Sequence, residues 1–180
     1  MANRQALRDL QTRLAERLQA ARTNNSQGAS WLAVQAGGRN YLLPLEQAGE
    51  IFSWPGVLRV PYTSGWFWGV ANLRGSLAGV VDLSAYLGYP VERTEQSLHE
   101  VSLLAINPAL QMNVALVVDK LLGLRGVDDF STTAAASVPD AGAAHSGVVG
   151  ASYTDNTGHI WQVLQLQNLV QSTEFLSIRI

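Results

Sequence analysis

Side chains able to do chemistry are sparse in this sequence, and they are spaced so that few could act together. His99, His145 and His159 fall in turn-rich stretches, and none stands at metal-ligand spacing from a second histidine or a carboxylate. Cysteine is absent, which removes disulfides, thiolate metal sites and cysteine nucleophiles at once. No GxSxG elbow, phosphate-cradling GxxxxGK[ST] loop or GxGxxG run occurs. Asp128 and Asp129 are adjacent, so on an extended chain their carboxylates diverge and cannot share a substrate. The expectation is a protein without catalytic residues, metal or cofactor.

The informative stretch runs from Glu50 to Leu83, EIFSWPGVLRVPYTSGWFWGVANLRGSLAGVVDL. Within it GVANLRG sets Asn72 and Arg74 beside Gly75 at a strand end, where a tight turn needs unhindered backbone and can present a side chain sideways. Arg74 has apolar neighbours on both sides, and Glu50 sits equally awkwardly in AGEIF. Two arrangements answer that: a solvated turn with an exposed edge glutamate, or a pair in which each charge offsets the other's desolvation. Trp54, Tyr62, Trp66, Phe67 and Trp68 crowd the same region. Three successive aromatics at 66–68 cannot all face inward on a strand, so at least one is partly exposed, as interface hot spots are.

The elements that hold these residues follow from periodicity. Leu7, Leu10, Leu14, Leu18 and Ala21 fall at helical steps opposite five arginines, giving an amphipathic helix over residues 1–23 that ends in a polar linker at 24–30. Beyond Trp31, short β-branched and apolar runs recur between turn residues, the texture of an all-β barrel or sandwich. Strands are expected at 31–35, 41–45, 57–60, 69–73, 77–82, 101–106, 113–118, 148–152 and 160–164, with AGGRN at 36–40 as a hairpin turn. LSAYL at 83–87 and LQNLV at 166–170 are short helical turns, and 128–146 is a mobile insertion. A weak internal repeat links the stretches 41–51 and 80–87 to 114–124 and 163–170, so two similar lobes are expected, divided near 88–100. The last residues, 175–180, alternate as a half-buried strand.

Composition narrows the partners. With 47% hydrophobic and only 14% charged residues, some apolar surface is left for other proteins. The net charge of −2 argues against nucleic acid, whose phosphates need a positive field. The arm at 1–23 carries about +3 and the body the balance, so the two have opposite signs. No signal-peptide core or membrane-spanning run is present, and the expected location is cytoplasmic.

The run from Glu50 to Gly88, with VP at 60–61, GVANLRG at 69–75, VVDL at 80–83 and LG at 87–88, resembles the central motif of the CheW-like family of chemosensory adaptors. The likeness extends from about Trp31 to Val170, where ALVVDKLLGLRGV at 115–127 is similar to the family's second-lobe strand pair. It implies two intertwined five-stranded SH3-like β-barrels over 31–174, without enzymatic activity or cofactor. It also implies two partners, the cytoplasmic tip of a methyl-accepting chemoreceptor and the regulatory domain of a CheA-type histidine kinase. The protein would then reach receptor arrays at the inner membrane only through the receptor.

By the same resemblance Glu50 and Arg74 form a salt bridge that shapes the partner-binding region. Ile51, Asn72, Gly75, Trp66 and Trp68 border it, and the apolar strand ends Val57, Leu58, Leu121 and Leu124 are candidates for the kinase. Three features depart from the pattern: Gly79 replaces a usual proline, Gln165 and Gln167 replace usual acids, and both chain ends are extended. Those extended ends resemble PilI-type members, which serve type IV pili and twitching motility. Two rival classes remain. One is a small-molecule-binding barrel or enzyme with its site in the inter-lobe cleft, which requires buried titratable groups near Arg74. The other is a nucleic-acid barrel stacking bases on aromatics 66–68, which requires a basic groove beside them.

Overall fold

The computed structural model describes residues 31–134 and 147–180. The helix expected at 1–23, the linker at 24–30 and residues 135–146 of the insertion lie outside the described residues. The chain begins with a hairpin, β1 (Trp31–Ala36) and β2 (Arg39–Pro44), and continues through β3 (Ala48–Ser53), β4 (Phe67–Leu73) and β5 (Ser76–Asp82). Two short helices follow, α1 (Leu83–Tyr86) and α2 (Glu95–Leu98), before β6 (Ser102–Ile106), β7 (Val114–Val118) and β8 (Lys120–Arg125). The described chain ends with β9 (Phe130–Ala134), β10 (Val149–Asp155), β11 (Ile160–Leu164), α3 (Leu166–Gln171) and α4 (Thr173–Leu176).

These strands make two sheets, one in the order β8-β1-β2-β11-β10-β9 and the other β3-β6-β7-β5-β4. The class is all-β, as expected. Each sheet contains one parallel contact, β2 with β11 in the first and β5 with β7 in the second, while the other pairings are antiparallel. The lobes are therefore intertwined: β1 and β2 join strands from the far end of the sequence. Strands β6 and β7, which follow the expected division at 88–100, complete the first lobe's sheet. The chain instead changes sheet between β2 and β3 and again between β7 and β8.

Central strands are covered on both faces, which explains why they read as unbroken apolar runs. In β7, Leu116 and Val118 enter the main core between the sheets, while Ala115 and Val117 line the interior of the five-stranded sheet with Val80 and Leu103. In β1, Leu32, Val34 and Ala36 face the main core, and Ala33 joins Leu42, Trp161 and Val163 on the opposite face of the six-stranded sheet. Trp31, Phe130 and Tyr153 extend that second face, with ring centroids 5.2 to 5.8 Å apart.

Four expectations need correction. Residues 57–60 form no strand: Leu58 alone bridges Val70, through hydrogen bonds of 2.8 and 2.9 Å. The proline-bracketed loop comes that close because Gly69 has no Cβ, which would lie 2.1 Å from the Leu58 carbonyl oxygen. Part of the insertion expected at 128–146 is ordered as β9, which pairs with β10. The second-lobe strand pair exists as β7 and β8, but the two strands belong to different sheets. The tail is strand-like only at its end. Phe175 is buried in α4, and beyond it Arg179 bridges Thr63 while Ser64 N–H donates to the Ile178 carbonyl at 2.8 Å.

The hairpin turn between β1 and β2 is locked by contact. Gly37 has φ +58°, and a Cβ there would lie 2.8 Å from Ser84 Cβ and 3.1 Å from the Tyr89 carbonyl oxygen; Gly38, at φ +72°, faces open space. Gly38→Ala is expected to cost the left-handed backbone penalty of about 1–2 kcal/mol. Gly37→Ala should cost clearly more, read as the difference between their urea midpoints.

Tyr41 in β2 is 1% exposed, and its hydroxyl has no hydrogen-bond partner among the described residues. Burial pushes its phenol up to about 12 from the ordinary 10.0. The unfolded chain releases this proton first, so the group's contribution to stability is complete below pH 10 and is lost as pH rises towards 12. Tyr41→Phe is predicted to raise stability by about 1 kcal/mol, because it removes an unsatisfied donor. It should also flatten that alkaline loss in denaturation curves recorded between pH 9 and pH 12.

Candidate functional site

The β4–β5 hairpin carries the residues singled out from the sequence. Leu73 pairs with Ser76, leaving Arg74 (φ 51°) and Gly75 (φ 88°) as a two-residue loop with both residues left-handed. That is the type I′ geometry, whose twist suits a hairpin and whose second position favours glycine. Asn72 fixes it, its Oδ1 accepting the Gly75 N–H at 2.7 Å. Arginine pays a backbone penalty at φ 51°, and the turn lifts its side chain clear of the apolar residues beside it in sequence.

Arg74 pairs with Glu50, guanidinium nitrogen to carboxylate oxygen. The two side chains are 75% and 46% exposed, so the contact is paired, as one of the two arrangements had it, and solvent-exposed, as the other had it. Glu50 lies on β3 and Arg74 at the end of β4, the two edge strands of the five-stranded sheet. The ion pair therefore ties together the two edges that no ladder hydrogen bonds join. Phe52, also on β3, lies beneath the guanidinium, 5.8 Å from ring centroid to Cζ.

The other expected site residues divide into exposed and packed. Leu58 is 74% exposed, while Val57 is half-buried against the interior of the five-stranded sheet and Ile51 against the main core. Trp66, Phe67 and Trp68 are all half-buried, in keeping with the expectation that they cannot all face inward. Trp66 stacks on Phe175 at 5.8 Å, with planes 8° apart, and meets Tyr86 edge-on, so it packs the C-terminal helix onto the barrel. Trp68 meets Trp54 edge-on at 5.7 Å.

Leu121 and Leu124 are three residues apart and would point to opposite faces of a regular strand. A bulge opposite Ala33 and Val34, with Gly123 at φ 96°, turns both against the main core. The outward-facing apolar residue of β8 is Leu122, 37% exposed.

The largest feature missed in the sequence is the Arg93 cluster. Arg93 is 4% exposed, and its guanidinium makes two ion pairs of 2.5 Å, to Asp82 Oδ2 and to Asp119 Oδ1. Asp82 Oδ1 also caps α1, accepting the Ser84 and Ala85 N–H groups at 3.0 and 3.2 Å and the Ser84 hydroxyl at 2.7 Å. Asp119 Oδ2 accepts the Gly37 N–H at 2.7 Å. The signal was the repeated VVD at 80–82 and 117–119, whose two aspartates end neighbouring parallel strands.

His145 lies outside the described residues, and among the described residues no three His, Cys, Asp or Glu side chains gather to hold an ion. His159 does approach a carboxylate, 3.5 Å from Asp155, across the exposed β10–β11 turn. Asp155 is an anchor for that turn: the Thr157 hydroxyl, the Trp161 indole N–H and backbone donors hold its carboxyl well below the usual carboxylate range. The groups around Arg74 are an ion-paired Glu50 and an aromatic ring, not the buried titratable cluster that a cleft enzyme requires.

Two entwined sheets, each with one parallel contact, define the fold. A similar arrangement occurs in the crystal structure of the scaffolding protein TtCheW from Thermoanaerobacter tengcongensis, with TM-score 0.61 at 14% identity over 77% of this chain and 90% of that one. The model of the CheW-like domain matches residues 30–174, so the chain belongs to the CheW-like family. It is also similar to Protein PilI from Pseudomonas aeruginosa, 32% identical over 108 residues that make up 58% of either chain.

Because the Arg74–Glu50 pair is exposed, its contribution to stability is small. Arg74→Ala should change the free energy of unfolding by less than about 1 kcal/mol, the range for solvated ion pairs. Chemical denaturation of the purified variant checks this, and a loss several times larger would mean that the pin is structural.

Proposed function

We propose that this chain is a non-enzymatic chemotaxis-type adaptor that couples the cytoplasmic tip of a methyl-accepting chemoreceptor to the regulatory domain of a CheA-type histidine kinase. The observation that carries the reading is the Arg74–Glu50 pin, held on a left-handed turn at the open seam of the five-stranded sheet. A charged pair so exposed adds little to folding. Holding arginine at positive φ costs free energy, so the residue's value lies in what it presents.

The receptor tip would be taken by the seam, Glu50, Ile51, Asn72, Arg74 and Gly75, with Phe52 beneath the guanidinium and Trp68 further along β4. The kinase domain would be taken by apolar positions around Val57 and Leu58 and by the β8 edge, where Leu122 replaces Leu121 and Leu124 as the exposed contact. Residues 31–174 form the adaptor body in this reading. The likeness to Protein PilI, with the extended chain ends, favours a pathway controlling type IV pili and twitching motility. The protein would act in the cytoplasm, at receptor arrays on the inner membrane; among the described residues no helix is long and apolar enough to cross it.

Charge reversal tests the seam. In a pull-down on immobilised receptor tip, Arg74→Glu is expected to abolish capture, and adding Glu50→Arg to restore part of it, while both variants keep the wild-type circular dichroism. Undiminished capture by the single variant would remove the seam from the receptor interface.

A further inference from the structure

We propose that Arg93 is a positioning residue that couples the two docking surfaces; this rests on the adaptor reading above. Strands β5 and β7 run parallel, with Asp82 opposite Val117, so the two VVD motifs end at the same edge of the sheet. Two carboxylates brought together there repel each other unless a cation lies between them. Arg93 supplies it, one guanidinium nitrogen to each aspartate at 2.5 Å and a further contact of 3.4 Å to the Ser84 hydroxyl.

What the cluster touches suggests more than charge balance. The guanidinium lies 5.4 Å from the ring centroid of Trp68, on the β4 strand whose far end is the Arg74 turn. Asp119 is the single residue between β7 and β8, where the chain leaves one sheet for the other. Its Oδ2 accepts the Gly37 N–H, and its own N–H donates to the Gln35 carbonyl at 2.8 Å, so it grips the β1–β2 hairpin twice. The β8 edge proposed to meet the kinase begins at the next residue, Lys120. One side chain thus joins the strand that presents the receptor seam to the residue that starts the kinase edge.

The chemistry makes this a stiff link. An aspartate pulled away from the Arg93 guanidinium is left as a carboxylate without its cation, so intermediate displacements are unfavourable and the cluster moves as a unit or not at all. Lysine keeps the charge but is a single point donor without arginine's planar fork, and cannot hold both aspartates in this geometry.

The test uses the full chain and titrates it with receptor tip alone, with kinase regulatory domain alone, and with each at saturating concentration of the other. Wild type is expected to bind one partner at least about fivefold differently when the other is present, as coupled sites do. In Arg93→Lys that factor should fall to within about twofold of unity, with each single affinity kept within about twofold. Asp119→Asn, which alters the inter-sheet contact at a partly exposed residue, should do the same, and serves if the lysine variant does not fold. Amide exchange at Gly37 should quicken in both variants without any partner present. Coupling that survives both substitutions overturns the proposal, as does wild type that binds both partners without coupling, a result that leaves the adaptor reading intact. Wild type that binds neither partner overturns the adaptor reading and the coupling together.

Discussion

Two parallel strands that end in aspartate at one edge of a sheet impose a constraint that the rest of the molecule resolves. Neither carboxylate is free to turn away: Asp82 caps α1 through three hydrogen bonds, and Asp119 holds the amide of Gly37. Arg93 takes the remaining oxygen of each. The segment from Gly88 to Thr94 is thereby laid across the β1–β2 hairpin, where Arg39 covers the Tyr89 ring at 3.8 Å. Gly37 lies directly beneath, with no room for a side chain. The junction between the two sheets is therefore polar and directional, whereas the core around it is apolar and tolerant of small shifts. Fixed donors and acceptors set orientation in a way that packing of leucine and valine alone does not.

The two ion-pair sites differ in kind. The Arg93 cluster is largely buried, links sheets, and sets one guanidinium between two carboxylates, of which only Asp119 is partly open to solvent. The Arg74–Glu50 pair is solvated, spans the edges of one sheet, and is held out on a strained turn. A fold that places its rigid polar lock at the crossover and its exposed pair at an open seam has separated holding from presenting. That division suits the proposed adaptor reading of a chain that belongs to the CheW-like family.

Much of this was legible in the sequence, for physical reasons. Strands such as β1, β5 and β11 announced themselves by β-branched runs between turn formers, and β11 lies at the expected residues. Asp82 before LSAY is an ordinary capping signal, and α1 follows it. The Arg74–Glu50 contact was one of two open readings, decided by resemblance. Its exposure belonged to the other reading, the solvated turn with an exposed edge glutamate, because apolar neighbours in sequence do not fix where a turn points. Strand β3 was missed since AGEIFS mixes glycine and glutamate into an edge strand, and β9 since threonine and alanine read equally well as loop. The inward turn of Leu121 and Leu124 depends on a bulge that periodicity does not reveal. Arg93 was passed over because a lone arginine in a polar segment looks solvated, and only the parallel pairing of β5 with β7 brings its two partners together.

The central claim is that one rigid body offers two surfaces at once. Sedimentation velocity on a mixture of receptor tip and kinase regulatory domain, with and without this protein, tests it most directly. The account predicts a ternary species that forms only when the protein is added and is lost with Arg74→Glu. Mutually exclusive binary complexes, with receptor tip and kinase domain competing for the protein, would contradict it.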